Sequence, residues 1–360
     1  MHVPAGRLMV SSSRRDDTAD PHVGGALEII LAAHGEAESA GFFENFRVGH
    51  RTLAHSAQVM RLPAPLRWVI CALGAARKRL ANGPGSPHNA RTRAQAEALA
   101  AKLEGLLAEP VTVRAAFASS DPPVEALIQR PSAASKRIII SMSPSDSRLS
   151  CGLLCHALAQ ANPAAGQTVV LARLWDDPDF AALNAAHVRA ACAAWKNGGA
   201  LAEESKTALM LVFHGTLVRD QRDQAPAFHT GQAEKAHLAN ALKGLLPESV
   251  DAPWSSVVVA YLNHDVAGRW SQPTAGAVLN DLARRGFERV WVFPCDFLVE
   301  GGEITGSLMS LLQACSIEDV RLLPCLNDSP AFIDYLASRV QCALSDFPGC
   351  WQCDRCPRPT

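Results

Sequence analysis

The sequence predicts an α/β protein built from two similar doubly wound domains, each a four-stranded parallel sheet flanked by helices. Three observations lead there. Eight short apolar runs rich in β-branched residues are spread along the 360 residues. Most of them are continuous rather than alternating, as strands buried on both faces of a parallel sheet are. Helical stretches separate them, so strand and helix alternate.

In the first half the runs are 27–34 (LEIILAAH), 111–118 (VTVRAAFA), 137–144 (RIIISMSP) and 168–175 (TVVLARLW). In the second they are 208–215 (ALMLVFHG), 255–263 (SSVVVAYLN), 289–297 (RVWVFPCDF) and 320–327 (VRLLPCLN). Segments 92–107, 231–246 and 274–285 carry apolar residues at helical spacing. The leading strand of each half ends in a similar way, AAHG at 32–35 and VFHG at 212–215, which points to an old duplication. The boundaries that follow are a polar, disordered leader (1–25) and an N-terminal domain (26–196) with a lip insertion (41–92). A C-terminal domain (207–345) and a cysteine-bearing tail (346–360) complete the chain. Within the insertion, segment 60–80 is apolar at Trp68, Val69, Ile70 and Leu73 and basic at Arg77, Lys78 and Arg79. Such a segment suits peripheral contact with a membrane, or covers a pocket or the core.

Composition excludes several classes. The formal net charge is −1, so no basic field points to nucleic acid. No run reaches the roughly 18 apolar residues of a membrane span. Eleven cysteines, an odd number, read as reduced thiols of a cytoplasmic protein rather than as a disulfide framework. There is no GxxxxGK[ST], GxGxxG, HExxH or GxSxG, so neither a nucleotide nor the common hydrolytic sites are expected.

Two signals carry chemistry. His214 closes an apolar strand and is followed by Gly215, and ligands of open α/β sheets gather at strand C-terminal ends. The loop after the seventh run adds Asp296, Glu300 and Glu303, with Gly301 and Gly302 between the last two. One of these carboxylates could face His214 across a cleft. The second signal is Cys350, Cys353 and Cys356 at C-x2-C-x2-C spacing, preceded by Cys342. Thiolates so spaced converge on one metal centre, zinc or iron–sulfur.

Five segments in register make the chain resemble the ferrochelatase family. They are 83–107 (GPGSPHNARTRAQAEALAAKLEGLL), 211–216 (LVFHGT), 261–274 (YLNHDVAGRWSQPT), 297–303 (FLVEGGE) and 326–330 (LNDSP). The resemblance implies insertion of Fe2+ into a porphyrin, protoporphyrin IX or coproporphyrin III, in haem biosynthesis. By it His214 and Glu303 lie on opposite faces of the macrocycle and handle metal and protons, with Glu300 assisting. Ser86, Pro87, Trp270 and His34 become substrate-binding residues. A [2Fe–2S] cluster on Cys350, Cys353, Cys356 and Cys151 is implied as well, with Cys342 and Cys155 as other fourth ligands and zinc as the other metal. The partners are then porphyrin and ferrous iron, with no nucleotide; a homodimer is compatible. Three departures bear on substrate choice, one being the loop 143–150 (SPSDSRLS), which lacks the tyrosine common there in the family. His34 stands in AAHGE where the family has "NLGTP", and the glutamate loop reads Glu300-Gly301-Gly302-Glu303 where the family has "D-H-x-E" or "D-C-x-E". Two other readings therefore stand beside the first: a chelatase for another tetrapyrrole or for cobalt or nickel, and a non-catalytic haem or cluster sensor.

Overall fold

The computed structural model describes residues 27–56, 63–130, 132, 134–161, 168–196, 206–248, 252–264 and 268–345. The leader (1–25) and the cysteine tail (346–360) lie outside them.

All eight runs form strands. The first sheet holds β1 (Leu27–Ala33), β2 (Val111–Phe117), β3 (Lys136–Ser141) and β4 (Thr168–Leu171) in the order β2-β1-β3-β4. The second holds β5 (Thr207–His214), β7 (Ser256–Leu262), β9 (Arg289–Phe293) and β10 (Asp319–Leu322) in the order β10-β9-β5-β7. Every pairing within the two sheets is parallel. In each half the leading strand lies between the second and the third, with the fourth outside the third, so the two halves share one topology. The repeat read from AAHG and VFHG is thus repeated in strand order.

The continuous apolar strands are explained by two buried faces. Along β1, Leu27, Ile29 and Leu31 enter one core while Ile30 and Ala32 enter another. Along β5, Leu209, Leu211 and Phe213 enter that same first core, while Ala208, Met210 and Val212 turn to a third. One central core is therefore shared by both sheets. It is filled by α3 (His88–Glu104), α6 (Pro178–Lys196), α7 (Gln232–Leu245) and α10 (Pro330–Ser345). The outer faces are covered by α4 (Val124–Gln129) and α5 (Cys151–Ala161) on one side, and by α8 (Ala275–Arg284) and α9 (Met309–Ala314) on the other.

Helix α10 crosses from the second half to the first. The Tyr335 hydroxyl donates to Asp177 at 2.7 Å, and Arg339 donates to the Ala172 carbonyl at 2.9 Å. A division at 207–345 follows the repeat but not the packing.

Two features escape the strand pattern. An antiparallel ribbon joins β6 (Leu217–Arg219) to β8 (Arg269–Trp270), both too short to show a period. The insertion folds as a hairpin of α1 (Phe42–Ser56) and α2 (Ala64–Ala81). Cys71 and Ala75 of α2 are buried. Its Leu66, Val69, Ile70, Leu73 and Leu80 are exposed, and Trp68, half open, packs its ring 5.0 Å from that of Phe46. Among the described residues no helix is long and apolar enough to cross a membrane.

Candidate metal-handling site

The strand ends of both halves meet at one cavity of about 330 Å³. His34 follows β1 and His214 ends β5, so the two equivalent strand ends each bring an imidazole to it. A glycine follows each. Gly35 has φ +82°, a left-handed conformation, and a Cβ there would meet the Phe117 side chain at 2.5 Å. At Gly215 a Cβ would lie 1.9 Å from Asn263 Oδ1. The close approach lets the loop after β7 fold over the His214 strand end.

That loop carries His264, whose Nε2 is 3.0 Å from His214 Nε2. Glu303 opens the π-helical turn Glu303–Leu308 and completes a group of three. Its Oε1 is 3.3 Å from His214 Nε2 and 3.5 Å from His264 Nε2. These ligand atoms lie within 4.8 Å of one another, and Glu303 Oε2 is buried with no hydrogen-bond partner. Two imidazoles and a carboxylate make a donor set for a borderline divalent ion such as Fe2+, Co2+ or Ni2+.

The reading of His214 and Glu303 on opposite faces of a macrocycle is corrected here. A flat ring between two groups needs about 3.5 Å of clearance on each side. The observed 3.3 Å leaves no such gap, so the two side chains lie on the same side of any such ring.

Supporting groups hold His214 from behind. Its N–H donates to Asp296 Oδ2 at 3.3 Å, and its carbonyl accepts from Lys235 Nζ at 2.8 Å. Lys235 and Asp296 are themselves paired at 2.7 Å, with side chains only 7% and 4% exposed. The Ser145 hydroxyl, from the first half, donates to the other oxygen of Asp296.

Charge is arranged unevenly. Burial among protein walls, with His88 adding to it, lowers the His34 pKa to about 4, although its ring opens to the cavity. His88 is lowered for the same first reason. Burial alone would raise Glu303, but the His214 and then the His264 imidazole override it and bring the carboxyl down to about 2. The second half thus offers an ionised carboxylate between two imidazoles. The first half offers neutral imidazoles.

The other sequence-named residues fall in several places. Trp270 of β8 stacks edge-on against His264 at 5.6 Å. Ser86 and Pro87 lie outside the cavity wall; Ser86 N–H donates to the Ala37 carbonyl at 2.9 Å, and its hydroxyl accepts from His88 N–H at 3.2 Å. Glu300 lies outside the cavity wall as well. It accepts from Cys325 N–H at 3.0 Å and Asn327 Nδ2 at 3.1 Å, pinning the loop after β10. Cys151 is 2% exposed in the first turn of α5, Cys155 is half-buried and Cys342 is exposed on α10. Cys350, Cys353 and Cys356 lie outside the described residues.

Sequence reasoning did not single out His264. It stands in YLNHDVAGRW, a polar loop with no periodicity, and only its proximity to the His214 strand end marks it.

The family model of ferrochelatase matches residues 27–344. The chain belongs to the ferrochelatase family. Among curated relatives it is 29% identical over 170 residues to the ferrochelatase of Azoarcus sp., covering 46% of this chain and 42% of that one. It is 27% identical over 267 residues to the ferrochelatase of Neisseria meningitidis serogroup B, 71% of this chain and 72% of that one. The alignment thus spans less than half of the Azoarcus protein. Among solved structures, CbiX, the terminal enzyme for biosynthesis of sirohaem in denitrifying bacteria, aligns at 15% identity and a TM-score of 0.48, over 88% of this chain and 99% of that one. SirB from Bacillus subtilis with Fe3+ aligns at 12% and 0.48, over 89% and 98%.

Proposed function

We propose that this family member inserts Fe2+ into a porphyrin, protoporphyrin IX or coproporphyrin III, receiving the ion on His214, His264 and Glu303. The observation that carries the reading is the convergence of these three donors, 3.0 to 3.5 Å apart, on one wall of a cavity shared by both halves. The unpartnered Glu303 Oε2 supports it, because a buried carboxylate oxygen without a donor is costly unless a cation meets it.

In this mechanism the incoming ion loses water as the imidazoles and carboxylate replace it, and the triad presents it to one face of the macrocycle. Two pyrrole N–H protons must leave. Neutral imidazoles on the first half, His34 above all, offer lone pairs toward the other face. Phe297 and Leu298 add apolar wall that keeps the ring in place of water. No nucleotide takes part.

The imidazoles at 34 and 264 favour a second reading, cobalt or nickel insertion or another tetrapyrrole, since nitrogen donors bind Co2+ and Ni2+ more tightly than Fe2+. Anaerobic assays of Fe2+, Co2+ and Ni2+ against protoporphyrin IX, coproporphyrin III and sirohydrochlorin separate the two. Fastest turnover with Fe2+ and either porphyrin supports the first. Preference for cobalt, nickel or sirohydrochlorin supports the second. Tetrapyrrole binding without metallation of any pair, unaffected by His214→Ala, leaves the sensor reading.

Two further segments are given roles. The C-x2-C-x2-C tail holds a [2Fe–2S] cluster or zinc through Cys350, Cys353 and Cys356. For a fourth ligand the exposed Cys342 is more accessible than the buried Cys151. The cluster enters no step of metallation. The exposed face of α2 rests on an anionic membrane surface.

A further inference from the structure

We infer that Glu36 is a positioning residue for Glu303: a carboxylate of the first half that caps, across the cleft, the turn carrying the metal-facing glutamate of the second. The inference rests on the proposed role of Glu303.

Glu36 Oε2 accepts a hydrogen bond from Gly302 N–H at 2.7 Å. Gly302 immediately precedes the π-helical turn, so this N–H is one of the orphan donors that a helical start leaves unpaired. Within one chain segment such a donor is met by a side chain at the cap. Here no local side chain caps the turn, and Glu36 does so from another domain. The rest of the turn hangs on the same spot. Gly301 carbonyl accepts from Ile304 N–H at 3.1 Å, Thr305 N–H at 2.9 Å and the Thr305 hydroxyl at 3.1 Å.

The Glu36 side is held firmly. Its N–H donates to Asn89 Oδ1 at 2.9 Å and its carbonyl accepts from Asn89 Nδ2 at 2.8 Å. Asn89 is 1% exposed and also donates to the Ser120 hydroxyl at 2.9 Å. Two bonds to a buried amide fix the Glu36 backbone, so the side chain starts from a set position opposite the loop.

The glycine pair is the other half of the device. A Cβ at Gly301 would lie 2.6 Å from Glu36 Oε1, and one at Gly302 3.0 Å from Oε2. Neither glycine has the positive φ that would demand glycine on backbone grounds. A side chain at 301 would push the Glu36 carboxylate out of its present place, so the bare backbone of Gly301 and Gly302 leaves room for a group from the other half.

The test uses the full-length protein. Hydrogen exchange of segment 300–308 is read by mass spectrometry, and Co2+ binding by its visible absorption. Loss of one charge-assisted hydrogen bond predicts about ten-fold faster exchange in this segment for Glu36→Ala, with Co2+ affinity about ten-fold weaker. Glu36→Gln keeps an acceptor oxygen of the same reach and returns both readings to near wild type. Gly301→Ala displaces Glu36 and reproduces the Glu36→Ala result, and the double variant is no worse than Gly301→Ala alone. Unchanged exchange in Glu36→Ala, acceleration spread over both sheets, or a Gln variant as impaired as Ala overturns the inference. Absence of metallation by the wild-type protein overturns the proposed function instead and leaves the exchange result standing.

Discussion

His214 and His264 meet because Gly215 lets the Asn263 side chain come close to the end of β5. Asn263 is itself held, donating to the Ser271 carbonyl at 2.9 Å. Removing either imidazole takes away one of three donors. His214→Ala and His264→Ala are each expected to weaken Co2+ binding by at least the roughly 10–100-fold that loss of a merely supporting residue costs. Absorption titration checks this, and wild-type affinity in His264→Ala would remove that residue from the site. Acid should weaken the fold in two stages. Desolvation by the surrounding cavity walls, with His88 beside it, lowers His34 from 6.5 to about 4 although the residue stays open to the cavity, so between those values the unfolded chain binds more protons than the folded one. Stability therefore rises with pH across that window and is lost on acidification through it. Glu303, lowered from 4.5 to about 2 by its imidazole neighbours against the effect of burial, adds stability above 4.5 that is lost toward 2. Urea midpoints measured across pH check both stages, with His34→Asn flattening the upper one. At this scale His214, His34 and Glu303 were legible in the sequence, because strand ends and glycine-bearing acidic loops have recognisable surroundings. His264 was not, since a loop histidine gains meaning only from what it touches. The placement of His214 and Glu303 on one side was not legible either: it is a distance, and linear order holds no distances.

Among elements, the strands and the three named helices were readable because each buries a long apolar face. The β6–β8 ribbon was not, being too short for any period, and its value is to bring Trp270 against His264. The ion pair of Lys235 on α7 with Asp296 after β9 links two elements behind His214. Replacing one partner leaves a buried charge unmatched, so Lys235→Met should cost about 3–5 kcal/mol in urea denaturation. A cost below about 1 kcal/mol, as for surface pairs, would refute this role. Helix α2 was legible as amphipathic, but which face it turns outward was not. With Cys71 and Ala75 inward, Leu66, Val69, Leu73 and Leu80 face out, and the helix carries Arg67, Arg77, Lys78 and Arg79 without an acidic residue. Co-sedimentation with phosphatidylglycerol vesicles, falling with added salt and with Leu73→Glu, is the expected result. Equal binding to phosphatidylcholine, or a concentration-dependent dimer abolished by the same substitution, would point to another use of that face.

Over the whole molecule, one topology is used twice and the copies face each other across a shared core. The duplication was visible as two sets of four apolar runs with two short similar strand ends; the common strand order and the crossing of α10 required the third dimension. Equivalence of the copies places an imidazole at both leading strand ends, and divergence gives them different work: a low-pKa ring on one side, a carboxylate-backed pair on the other. The tail adds a separate expectation. Anaerobically purified protein should show the visible bands of a [2Fe–2S] cluster, and a colourless, zinc-containing sample would assign the thiolates to zinc.

In the proposed function a metal ion is received from one side by His214, His264 and Glu303 together. X-ray absorption fine structure of the Co2+-loaded protein at one equivalent tests it most directly. The expected result is two imidazole nitrogens and at least one carboxylate oxygen at about 2.0–2.2 Å, with one imidazole lost in His264→Ala. A single imidazole in the wild-type protein, or a spectrum unchanged by His264→Ala, would contradict it.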